Sequence, residues 1–124
     1  MPSDLTLQLR LDDPGRVIAE LSCGASRATV TSSAAGEAIA DLAAAWEDTV
    51  RDGCGECYWP EGGGDYRWLF RRNGERVSVV LLWCANPVTG WEHVFWAETA
   101  WGELLATMRG AFMRQTITMS ESRD

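Results

Sequence analysis

The sequence predicts an α+β domain in which an antiparallel sheet of about six strands carries two packed helices, in the order βββ-α-βββ-α. Three observations lead there. Apolar residues alternate with period two in six short runs, two longer segments repeat at three- and four-residue steps, and turn residues separate the runs. A chain of 124 residues that is 46% apolar and 23% charged is of a size and composition for one folded core. The domain is expected to span residues 1–118, with a polar, frayed tail at 119–124.

The first run places Leu5, Leu7, Leu9 and Leu11 on one face and Thr6, Gln8 and Arg10 on the other, the pattern of a half-buried strand. Asp12-Asp13-Pro14-Gly15 predicts a turn. Alternation resumes from Arg16 to Ser22 with Val17, Ala19 and Leu21, stops at Gly24, and returns from Arg27 to Ser32. These three strands read as a meander. The period then changes: Ile39, Leu42, Ala43, Trp46 and Val50 predict an amphipathic helix from about Ala35 to Asp52, opened by a serine cap and stopped by Gly53.

Residues 53–64, GCGECYWPEGGG, read as a long loop, because glycine and proline weaken both helix and central strand. Tyr66, Trp68 and Phe70 then alternate with Arg67, Leu69 and Arg71. Asn73-Gly74 predicts a type I′ hairpin turn into a return strand from Arg76 to Cys84. The continuous apolar run Val79–Trp83 predicts a strand covered on both faces. After a turn at 86–90, a last strand from Trp91 to Ala97 is expected to place Trp91, His93 and Phe95 on one face and Val94 and Trp96 on the other. A second helix is predicted from near Thr99 to near Gln115, with Trp101, Leu104, Leu105, Met108 and Phe112 as its apolar stripe.

Charge narrows the function. The net charge is −7, every basic residue is arginine, and no apolar run is long enough for a membrane span. Nucleic acid is a poor partner for such a chain, since phosphates are repelled at long range. The start Met1-Pro-Ser-Asp-Leu carries neither a basic stretch nor an apolar signal core, so a cytoplasmic location with reduced thiols is expected. Eight acids between Ala34 and Tyr66, opposed only by Arg51, hold the whole net charge. Soluble helices usually mix signs to gain i,i+4 pairs, so a segment of one sign points to a surface for a cationic partner. Glu37, Asp41, Glu47, Asp48, Asp52 and Glu56 are the candidate contacts. Tyr58 and Trp59, aromatic residues on a glycine-rich segment, are candidate anchors. Trp46, Trp68, Trp83 and Trp101 lie on predicted packed faces and are assigned to the core.

Two further constellations compete. Cys54 and Cys57 have CxxC spacing, which suits a thiol-redox pair or half a metal site, although the helix N-terminus that activates such a thiol is missing. Two idle thiols are the simpler reading, and no cofactor is expected. His93, the single histidine, would support a small-ligand site if a pocket lay beside it. No Ser-His-Asp pattern can be argued from this single histidine, and the chain is not expected to be an enzyme. Arg67, Arg71, Arg72 and Arg76 crowd the hairpin, where arginine serves mainly solubility and edge protection.

The stretch DYRWLFRRNGERVSVVLLW, with the acidic helix and glycine segment before it, resembles small bacterial immunity proteins of polymorphic toxin systems, including those of contact-dependent growth inhibition. The resemblance is one of layout over most of the chain and assigns no role to a numbered residue. It implies a cognate toxin, often a basic nuclease, that is blocked by tight binding.

Overall fold

The alternation of Leu5, Leu7 and Leu9 buries one side of the first strand, and the same logic builds the rest of the molecule. The computed structural model describes residues 5–12, 15–86 and 88–122, with the side chains of 5–12, 15–86 and 88–113. The predicted turn at Asp13 and Pro14, Pro87, and the last two residues of the predicted tail lie outside the described residues.

The elements are β1 (Thr6–Asp12), β2 (Arg16–Cys23), β3 (Ser26–Ser32), α1 (Ala35–Asp52), β4 (Cys54–Glu61), β5 (Gly64–Asn73), β6 (Arg76–Cys84), β7 (Glu92–Ala100) and α2 (Trp101–Ser122). The class is α+β with two helices. The single sheet of about six strands is corrected to seven strands in two antiparallel sheets, β1-β2-β3 and β4-β5-β6-β7. The seventh strand comes from the segment read as a loop. β4 pairs with β5 along its full length, from Cys54 opposite Arg71 to Glu61 opposite Gly64. Its proline is tolerated because β4 is an edge strand, where one side of the backbone has no ladder to join.

The glycine at position 55 serves packing. A Cβ there would collide with the Ala45 carbonyl of α1, so only glycine lets the helix lie this close to the strand. Gly62 and Gly63, both at positive φ, close the β4–β5 turn. The β5–β6 hairpin is displaced by one residue from its predicted turn. Asn73 pairs with Arg76, so the loop is Gly74-Glu75, with positive φ at Gly74 alone. That is the φ signature of type II′, where the first central residue is glycine.

Helix α1 has its predicted limits, and Gly53 caps it in the left-handed conformation, donating to Thr49 O. The expected serine cap is absent. Ala34 occupies the cap position without a side-chain bond, and the Ser32 hydroxyl accepts the Ala34 N–H and donates to Pro60 O. Ser32 thereby ties β3 to β4. At the other end, the Glu75 carbonyl accepts the Trp101 N–H, joining the hairpin turn to the start of α2.

One core joins both sheets and both helices. Trp68, Phe70, Val77, Val79, Leu81, Phe95 and Ala97 come from the inner face of the four-stranded sheet. Val17, Ala19, Leu21 and Val30 come from the three-stranded one, with Leu42, Leu104 and Met108 from the helices. Trp46 meets Phe70 edge-on at 5.6 Å and Trp101 at 5.5 Å between ring centroids. Such aromatic pairs add about 1 kcal/mol each beyond the area they bury.

Candidate protein-binding surface

Helix α1 buries Ala35, Ala38, Leu42, Ala45 and Thr49. At 100° per residue, Glu37, Asp41, Asp48 and Asp52 then fall within an arc of about 60° that flanks the buried face, its centre about 90° round from it, with Glu47 about 80° further round the helix. Glu37, Asp41, Glu47 and Asp52 are exposed and Asp48 is half-buried. Among the described residues, Arg51 alone answers this stripe, bonding Asp48 at 2.7 Å and Asp52 at 3.2 Å. The Asp52 hydrogen bond, then the charges of Asp52 and Asp48, raise the Arg51 pKa above its ordinary value. Among the described residues, Glu37, Asp41 and Glu47 have no ion pair.

The remaining acids of the segment are partly neutralised. Glu56 accepts from Arg67 Nε at 2.9 Å. Glu61 pairs with Arg16 at 3.2 Å and accepts from the Thr31 hydroxyl. The negative potential therefore centres on α1. It borders a groove of about 650 Å³ lined by Asp48, Cys54, Glu56, Leu69, Arg71 and Val80, among others. The acidic helix and the outer face of β4 are thus continuous.

Tyr58 and Trp59 part company. Tyr58 lies on the outer face and is 44% exposed. Trp59 is corrected from anchor to core: it is 0% exposed and donates its indole N–H to Ala38 O at 2.9 Å. The strand explains the split, since neighbouring residues point to opposite faces.

The same alternation separates the CxxC thiols. Cys54 is exposed and Cys57 is buried. Three residues of extended chain put their Cα atoms about 10 Å apart, beyond the roughly 4.4–6.8 Å a disulfide requires. Burial, followed by the charges of Asp41 and Glu56, pushes the Cys57 thiol up to about 12. Such a thiol is neither a nucleophile nor a ready metal ligand. No group of three or more His, Cys, Asp or Glu side chains among the described residues is placed to hold a metal ion.

His93 also lies where alternation did not put it. Leu81 pairs with Phe95 and Leu82 with His93, so Val94 is an extra residue in a bulge. A bulge inverts the parity of everything before it. His93 is accordingly exposed on the outer face, while Phe95 is buried on the inner one. Among the described residues, His93 is not in the lining of the five surface cavities beside α1, α2, the β5–β6 hairpin and the β1–β3 sheet.

The chain matches no protein-family model, no curated protein and no solved structure.

The outer face of the four-stranded sheet was expected to be covered, and no described element lies over it. It leaves Trp96 55% exposed and Trp91 41% exposed, with Leu69, Val80 and Leu82 half-buried between them. Trp91 reaches across the strands to Tyr58, at 6.0 Å between centroids, and the Arg67 guanidinium sits 5.6 and 5.7 Å from the two rings. The available signal was the unbroken apolar run of β6, which states that both faces are apolar but not what covers them.

Proposed function

We propose that this chain is an immunity-type binding protein that occludes a cognate basic toxin, with the exposed arc of α1 as its recognition surface. The observation that carries the reading is the alignment of Glu37, Asp41, Asp48 and Asp52 on one side of a single helix, with Glu37 and Asp41 in no ion pair among the described residues. Like charges at helical neighbours cost stability, so a partner that neutralises them gains on docking. A one-signed surface also steers a cationic protein, raising its association rate by about 10- to 1,000-fold at low salt. Tyr58 and Glu56, across the groove from Asp48, supply the adjoining contacts, and an exposed tyrosine is a common anchor.

The test takes the product of the neighbouring gene as the candidate toxin. Stopped-flow association is measured at low and high salt with the unaltered protein and with Asp41→Arg combined with Asp48→Arg. The reading expects the double variant to associate at least tenfold more slowly at low salt, with the difference shrinking as salt rises. Equal rates and equal affinity at low salt would remove the helix from recognition.

A further inference from the structure

We infer that the open face of the four-stranded sheet is the contact of a homodimer, two copies packing sheet against sheet. The face carries the largest exposed aromatic grouping of the described residues, Tyr58, Trp91 and Trp96, around Leu69, Val80 and Leu82. Contiguous apolar surface of this kind marks an interaction site. Four strands about 4.8 Å apart and about nine residues long give a footprint of roughly 19 by 30 Å, the same order as the ~800 Å² that each partner of a stable complex buries.

Charge selects the occupant. The net −7 lies between Ala34 and Tyr66, so two copies repel where those segments would meet. By strand alternation the outer face holds Glu56, Asp65 and Glu98 against Arg67, Arg71 and Arg76, and these cancel. A face that is neutral, apolar and mixed in sign suits another copy of itself, whereas a strongly basic partner is drawn to α1 instead. Glu56 pairs with Arg67, and Arg76 with Glu98, inside the chain. Asp65 and Arg71 have no ion pair among the described residues.

Those two residues give the register. A two-fold axis in the plane of the contact, perpendicular to the strands and level with Trp68, brings Arg71 of each copy to Asp65 of the other. It also sets the row Leu69, Val80, Trp96 against the row Arg67, Leu82, His93 of the second copy. Isologous contacts of this kind satisfy each pair twice.

Sedimentation equilibrium from micromolar to millimolar concentration tests this. The mass is expected to rise from one chain to two. Trp96→Glu, at an exposed position, is expected to hold it at one chain with an unchanged near-ultraviolet dichroism spectrum in dilute solution. Asp65→Arg and Arg71→Asp should each weaken the dimer by about tenfold or more, and the two together should restore it to within about threefold. A one-chain mass throughout for the unaltered protein overturns the inference. So does a dimer indifferent to Trp96→Glu, or a double reversal no better than either single one. Toxin binding plays no part in the measurement, so this result and the test of α1 stand apart.

Discussion

Cys54 and Cys57 differ more in chemistry than in sequence position. The buried Cys57 thiol keeps its proton to about 12, against an ordinary value of 9.0. In native protein near pH 8, iodoacetamide should label Cys54 and leave Cys57 untouched, and denaturant should expose both; mass spectrometry of labelled peptides checks this. The sign of the pH effect on stability follows. The folded state retains a proton that the unfolded chain gives up near pH 9. Its contribution is complete below about pH 9 and declines as pH rises toward 12. Chemical denaturation across that range should show a shallower alkaline loss for Cys57→Ala than for the unaltered chain. Two further substitutions measure how tightly β4 is held. Gly55→Ala drives a methyl group into the Ala45 carbonyl and should cost about 3 kcal/mol in urea unfolding. Trp59→Phe loses the bond to Ala38 O and should cost about 2 kcal/mol, while Tyr58→Ala next door stays within about 0.5 kcal/mol.

At the level of strands and helices, periodicity was legible where it was regular. Leu5, Leu7 and Leu9 announce β1, and the three- and four-residue steps of Ile39, Leu42 and Trp46 announce α1 with its limits. β4 was hidden because the residues that defined it as a loop have other duties: Gly55 admits the helix, Pro60 occupies an edge, and Gly62-Gly63 make the turn. β7 was found but misaligned, because Val94 adds one residue to the ladder and no pattern of residue types reports an insertion. This makes an unusual deletion tolerable. Removing Val94 leaves Phe95 opposite Leu81 and His93 opposite Leu82, and should cost no more than about 2 kcal/mol for one half-buried valine. Removing Ala97 instead inverts the faces on one side of the gap and should abolish the cooperative urea transition. The acidic arc of α1 was readable as a charge run. The aromatic outer face of the four-stranded sheet was not, because exposure depends on which layers are present, and seven strands in two sheets leave one face over.

Helix α1, with five acids against one arginine, carries −4 of the net −7, and that has a measurable cost. Replacing Glu37 by Gln and Asp41 by Asn together should raise the melting temperature at low ionic strength, because each relieves repulsion along α1. The gain should vanish near ~1 M salt, where the Debye length is about 3 Å. The same pair of substitutions should slow association with a basic partner, so stability and recognition move in opposite directions.

Both sheets are built only from strands adjacent in sequence, β1-β2-β3 and β4-β5-β6-β7. No ladder therefore waits for a distant segment to arrive, and the entropy of closing a large loop is deferred to the docking of two preformed meanders. A β-rich chain wired in this way should refold on the millisecond timescale rather than over seconds, and it can begin to acquire its first sheet while the second is still being synthesised.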